Sequence, residues 1–258
     1  METWCGSRSG QLMSEMHELI EAAVQDNAAW CRFVSFELNH VPVIDVHGGV
    51  LFRGNVPAFY PNFVSTSAGA AKRSEGALVN TLGELHLPPG FGIKDSYANL
   101  DLSHFGYHRV IEAQWIALEM RKRVFDSTHQ DFTTPWVTSP VELEAWLTAA
   151  RLSCFDTNQF FSSAVDSSRV SFLSVKNDGY VIAGAVFTKF SEAIGVSNVF
   201  STSPDVPIWS LIIQAGQERF GSATLVDWES GDALDEARRA GFICLQPLRV
   251  WVNSSASP

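Results

Sequence analysis

The chain has 258 residues, 46% of them hydrophobic and 18% charged, with a formal net charge of −10. This is a globular composition with ample core material for one large or two small domains, not that of a disordered chain. The acidic balance excludes a nucleic-acid groove or anionic lipid as the main partner, since both call for a basic surface, and no apolar run approaches the ~20 residues of a membrane-spanning helix.

Taken in chain order, the first element is an amphipathic helix. Met16, Leu19, Ile20, Ala23 and Val24 recur at i, i+3, i+4 and i+7 spacing from about Ser14, and the pattern continues through Trp30, Phe33 and Val34. Val41 to Phe52 reads as a strand pair broken at Gly48-Gly49. Phe59 to Thr66 reads as a strand with its prolines at the start, where a missing N–H is tolerated. Ala68 to Gly76 is a polar, glycine-containing loop, Leu78 to Leu85 a helix, and Pro88-Pro89-Gly90 a turn. Ile93 to Tyr97 is a short strand, Leu100 to Phe105 a short helix, and Arg109 to Ala117 a strand.

A polar, proline-flanked stretch from Phe125 to Ser139 marks a boundary, and Ser139-Pro140-Val141-Glu142 opens a new helix running to about Arg151. Ser suits the N-cap, Pro the first helical position, and Glu at N3 can reach back. Arg169–Val175 and Tyr180–Thr188 form a hairpin through Asn177-Asp178-Gly179, whose residues tolerate the positive φ of a tight turn. Gly195–Ser201 is the next strand, Pro207–Phe220 a helix stopped by Gly221, Ala223–Trp228 a strand, Asp232–Ala240 a helix stopped by Gly241, and Phe242–Val252 the last strand.

The two halves share landmarks. Asn62 and Ser65-Thr66-Ser67 are echoed by Asn198 and Ser201-Thr202-Ser203. Gly106-Tyr107 follows Asn62 by 44 residues, and Gly241-Phe242 follows Asn198 by 43. Apolar runs then end at Trp115 and Trp251. A repeat of this length is domain duplication rather than a solenoid, so two half-domains are expected, at residues 1–135 and 136–258.

The order helix, three antiparallel strands, helix, strand, helix, strand, together with Asp227-Trp228-Glu229-Ser230-Gly231-Asp232 and Ala240-Gly241-Phe242 before a final strand, resembles the GNAT family of acyl-CoA-dependent N-acyltransferases. The resemblance covers roughly Val137 to Val252, and the repeat carries it to the N-terminal half as a degenerate copy. It implies an α+β fold of two GNAT-like mixed-sheet half-domains in tandem, with helices flanking a central, mostly antiparallel sheet. It also implies acetyl-CoA or another acyl-CoA as co-substrate, with no metal. The pantetheine arm would lie along the fourth strand of the copy, Val196, Ser197, Asn198, Val199, Phe200 and Ser201, and the pyrophosphate near Ser203.

In the family the pyrophosphate sits on backbone N–H groups that open the next helix. Here that loop, Thr202 to Pro207, has no Gly and no basic residue; two prolines remove donors and Asp205 repels phosphate. The corresponding N-terminal loop carries Gly69, Lys72, Arg73 and Gly76, a set able to cradle phosphates or simply a solvated surface loop.

For chemistry, Glu229 is the candidate base, or else a capping carboxylate for the helix near Asp232. No Tyr stands on the last helix, so a water, Ser230 or a residue of the other copy must serve as acid. Asp95 and Tyr97 occupy the equivalent strand end of the N-terminal half. Asn62 and Asn198 are candidates to tether their strand gaps.

The scattered cysteines Cys5, Cys31, Cys154 and Cys244 read as reduced thiols of a cytoplasmic protein, and His104 and His108 could share a helix face without further support for a metal. Residues Met1 to Gly10 lack a signal peptide's pattern. The expected activity is N-acylation of a small-molecule amine, a small-molecule acceptor being the partner. The alternatives are a non-catalytic ligand- or partner-binding module, or a repurposed enzyme that takes its thioester from an acyl-carrier protein or decarboxylates it.

Overall fold

The computed structural model describes residues 6–68, 90–120, 132–151, 164 and 168–253. Helix α1 spans Gly6–Arg32 and runs into a π-helical turn, Phe33–Leu38. Strands β1 (Val43–Val46) and β2 (Gly49–Phe52) form a hairpin in which Gly48 takes φ +83°, a conformation that favours glycine. Then follow β3 (Phe63–Ser65), β4 (Gly92–Asp95) and β5 (Tyr107–Glu119). Helix α2 (Pro140–Ala149) precedes β6 (Val170–Asn177), β7 (Tyr180–Thr188) and β8 (Ile194–Ser201). Helix α3 (Ile208–Phe220), β9 (Thr224–Glu229), α4 (Gly231–Ala240) and β10 (Ile243–Asn253) complete the chain.

Most sequence readings match these elements. The strand expected over Phe59–Thr66 shrinks to three residues, and the helix expected over Leu100–Phe105 is a 3-10 turn, Ser103–Phe105. Ser139 caps α2 as expected, its Oγ accepting from Glu142 N at 3.3 Å, but the Glu142 carboxylate reaches one residue further back and accepts from Thr138 N at 2.8 Å. The turn at Asp178-Gly179 has positive φ at both residues, 49° and 83°. The expected helix over Leu78–Leu85 and the cationic loop with Lys72 and Arg73 lie outside the described residues.

All ten strands join one sheet in the order β1-β2-β3-β4-β10-β5-β9-β8-β7-β6. Exchanging β1–β5 with β6–β10 returns the same order read from the other edge. At the centre the last strands trade places: β10 pairs with β4 as well as β5, and β5 pairs with β9. Two parallel pairs, β3 with β4 and β8 with β9, interrupt an otherwise antiparallel sheet.

The sheet is covered on both faces. Helix α3 packs Leu211, Ile212 and Ala215 with Ile116, Phe187 and Leu225 of the sheet. Helix α1 lays Ile20, Ala23 and Val24 against Trp115, Val226 and Leu248. Each such large side chain contributes roughly 1.5–3 kcal/mol of hydrophobic stabilisation. Asp26 fixes α1 in place: its carboxylate accepts from Thr188 Oγ1 at 2.5 Å and Phe190 N at 2.8 Å. It crosses β8 at Gly195, where an added Cβ would collide with the Asp26 carboxylate and the Thr188 hydroxyl.

Candidate functional site

Each parallel pair is a place where two strands can part. In β3–β4 they do not. Phe63 pairs with Ile93 and Val64 with Lys94, and side chains lace the seam beyond. Asn62 Oδ1 accepts from Gly92 N at 3.0 Å while its Nδ2 donates to Gly54 O at 3.0 Å. Ser96 N donates to Ser65 Oγ at 2.8 Å, Tyr97 OH donates to Thr66 O at 3.4 Å, and Asn99 Nδ2 donates to Ala68 O at 3.1 Å. Asp95 is buried and accepts from Leu100 N at 2.9 Å, holding the turn after β4.

In β8–β9 the ladder stops after Ile194–Leu225 and Gly195–Val226. The β7–β8 register then shifts between Gly184–Phe200 and Val186–Ser197, so Asn198 and Val199 together stand opposite one residue of β7. Asn198 takes the left-handed φ of 50°. A bulge of this kind bends a strand and re-aims its side chains. Here Asn198 Nδ2 donates to Tyr60 OH at 3.4 Å instead of tethering the gap.

The parted strands open onto a cavity of about 540 Å³. Ser197, Asn198 and Val199 line it from β8, and Asp227, Trp228 and Glu229 from β9. The wall is completed by Asn27, Trp30 and Cys31 of α1, by Tyr60 and Pro61, by Gly92 and Lys94 of β4, and by apolar residues of β5 and β10. The volume suits a drug-sized ligand, and apolar walls with a few convergent polar groups are the usual make-up of such sites.

The electrostatics of the cavity are unusual. Burial raises the Glu229 carboxyl to about 7, against the opposing effect of the Ser230 N–H. Burial, and next the charge of Glu229, holds the Asp227 carboxyl well above the ordinary range. Asp227 Oδ1 accepts from Trp228 N at 2.7 Å, and its buried Oδ2 has no partner among the described residues. Burial lowers the Lys94 ammonium to about 8. Lys94 Nζ donates to Asn27 Oδ1 at 2.8 Å and lies 4.1 Å from the centroid of the Trp228 ring. Burial pushes the neighbouring Cys31 thiol up to about 11.

Of the residues singled out from sequence, Glu229, Ser197, Asn198 and Val199 meet at this cavity. Glu229 ends β9 and is not a cap; Ser230 is the N-cap of α4, without a side-chain capping bond, and is not among the cavity's lining residues. The Phe200 ring packs against Trp146 at 5.1 Å. Ser201 Oγ donates to Ser203 O at 2.6 Å, in a turn leading to α3 and away from the cavity wall. Lys94, Tyr60, Asn27 and Asp227 were not singled out. For one of them a signal existed: Asp227 is a charged residue inside a short strand, between Val226 and Trp228. His104 lies in the 3-10 turn and His108 on β5, so they share no helix face. Among the described residues no group of three or more His, Cys, Asp or Glu is placed to hold a metal ion, and no helix is long and apolar enough to cross a membrane.

A mixed sheet with a parallel pair parting beside a bulged strand, backed by helices on both faces, is the GNAT fold. A GCN5-related N-acetyltransferase from Kribbella flavida superposes with a TM-score of 0.61 at 16% identity, over 88% of this chain and 96% of that one. A conserved protein of unknown function from Staphylococcus epidermidis gives 0.61 at 10% identity, over 85% and 98%. A GCN5-related N-acetyltransferase from Sphaerobacter thermophilus gives 0.53 at 12% identity, over 73% and 70%. No family model matches the sequence, and no curated protein matches it.

Proposed function

We propose that the protein is an acyl-CoA-dependent acyltransferase that N-acylates a small-molecule amine at the β8–β9 gap. The observation that carries this reading is the placement of Glu229, a carboxyl raised to about 7, in the same cavity as the Ser197–Val199 stretch of β8. A base tuned near neutrality is suited to deprotonate an ammonium at working pH. Glu229 takes the proton of the ammonium, the amine nitrogen attacks the thioester carbonyl, the C–S bond breaks as the C–N bond is kept, and the second proton that the nitrogen sheds replaces, through solvent, the one that the acid gives to the thiolate. The departing thiolate takes a proton from Tyr60, whose hydroxyl sits beside Asn198 and comes from the N-terminal half. Tyr60 thereby supplies the phenol that α4 lacks. In the same reading, residues 1–135 and 136–258 are two copies of one fold, and the palindromic strand order supports it. The free thiols of Cys31 and Cys244 suit a cytoplasmic setting.

The residues present fit the thioester arm of the donor better than its nucleotide end. Pro204, Asp205 and Pro207 occupy the loop before α3, short of donors and carrying the wrong charge for a pyrophosphate. That loop favours a second reading of the donor, a phosphopantetheine thioester borne by an acyl-carrier protein. Calorimetric titration with acetyl-CoA, acetyl-phosphopantetheine and an acylated carrier protein tests both, coupled to thiol release with a panel of amines. Acetyl-CoA saturation with Glu229-dependent turnover supports the first reading, and saturation only by the carrier or pantetheine forms supports the second. Failure of all three donors to bind would leave a non-catalytic binding module.

A further inference from the structure

Among the described residues lining the cavity, Lys94 is the only cationic side chain. It is 3% exposed. An ammonium has three N–H donors, and one is used here, on Asn27 Oδ1. No ion pair to Lys94 occurs among the described residues. The indole faces of Trp228 and Trp115, at 4.1 and 5.2 Å, replace part of its lost hydration. The charge of Asp227 favours the ammonium without an ion-pair contact; burying a cation without such a contact is costly, and the fold gains no strand pairing or cap from it. The same wall position filled by an aliphatic residue would pack at no such cost. A buried cation with spare donors at the edge of a ligand-sized cavity is built to receive an anion.

The identity of the anion follows from what stands around it. Lys94 belongs to β4, on the side of the cavity away from the Ser197–Val199 platform for the donor. Its ammonium lies against Trp228, the chain neighbour of Glu229. The cavity wall thus holds both a cation, at Lys94, and a proton-accepting carboxylate, at Glu229, with Trp30, Ile111 and Val250 as apolar walls. Resting on the acyltransferase reading, we propose that the acceptor is an aminocarboxylate with an apolar side chain. Its carboxylate is held by Lys94 Nζ, its amine is directed to Glu229, and its side chain lies against the apolar wall. Lys94 is then a specificity residue for the acceptor and takes no part in bond making.

The test is calorimetric titration of the whole protein without any acyl donor, so that failure of catalysis does not enter. The probes are L-leucine, L-phenylalanine, L-tryptophan and their β-homologues, with 2-phenylethylamine as the amine lacking a carboxylate. At least one aminocarboxylate is expected to saturate the wild type and to bind Lys94→Met about tenfold or more weakly, the value of one charge-assisted hydrogen bond. 2-Phenylethylamine is expected to bind both proteins alike. Melting curves verify that Lys94→Met is folded, and Lys94→Arg, which keeps the charge, should recover part of the affinity. Lys94-dependent aminocarboxylate binding by a wild type that transfers no acyl group would count against the proposed function and not against this site. Equal affinity for wild type and Lys94→Met would overturn the proposal, as would no saturation by any of these aminocarboxylates up to about 10 mM. Lys94-dependent binding of malonyl-CoA in their place would also overturn it, by assigning the cation to the donor.

Discussion

The β3–β4 and β8–β9 seams occupy matching places in the sheet, yet one is sewn and the other is open. Asn62 holds Gly92 and Gly54, Ser65 holds Ser96, and Tyr97 and Asn99 reach back to the chain after β3. On the other side Asn198 turns to a left-handed conformation and meets Tyr60, and Ser197 Oγ has no partner among the described residues, whereas Ser65 Oγ accepts from Ser96 N. The carboxylates diverge in the same way. Asp95 is occupied by the N–H of Leu100 in a turn, whereas Glu229 faces the cavity. Side-chain hydrogen bonds thus distinguish a sewn seam from an open one, with the strand arrangement unchanged.

The comparison can be broken most sharply at the two carboxylates. Glu229→Gln should lower kcat by about 100-fold or more with donor affinity kept, the range expected for loss of a general base. In wild type kcat/KM should rise with pH and level off above about 7, as Glu229 ionises, and the variant should lose that limb. Stability gives the sign independently. The folded-state pKa of Glu229 is raised, so the folded protein holds its proton longer than the unfolded chain, and stability falls as pH rises from the ordinary glutamate range to about 7. Glu229→Gln should therefore raise the melting temperature more at pH 8 than at pH 4.

Asp95→Ala should act on the fold instead, costing about 3 kcal/mol in chemical denaturation because buried N–H groups lose a charged acceptor. Asn62→Ala, which orphans Gly92 N and Gly54 O, should cost about 2 kcal/mol. The smallest stability effect is expected for Asn198→Gly, under about 0.5 kcal/mol, since glycine keeps the left-handed φ and the side chain it removes stitches no backbone. If Asn198→Gly instead destabilised the protein as much as Asn62→Ala, the distinction between a sewn and an open seam would fail.

Local signals carried the elements. Ser139-Pro140 before α2, Asp178-Gly179 between β6 and β7, and Gly241 after α4 each dictate a backbone geometry that few other residues allow, so those boundaries were readable. Glu229 was readable because it sits at a strand end of a recognisable pattern. Lys94 and Tyr60 were not, because their meaning depends on neighbours from α1, β8 and β9 that lie far away in the chain.

What the sequence determined by itself was the succession of helices and strands, the echo between its halves and the carboxylate at the end of β9. These rest on local periodicity, capping and turn chemistry, which act over a few residues. Tertiary structure alone decided that the last strands cross over at the centre of one sheet, that Asn62 closes its seam while Asn198 leaves the other open, and that a lysine of β4 lies against Trp228 beside Glu229. The reason is physical: strand exchange, burial and the desolvation that shifts Glu229 and Lys94 toward neutrality are properties of groups brought together from distant parts of the chain.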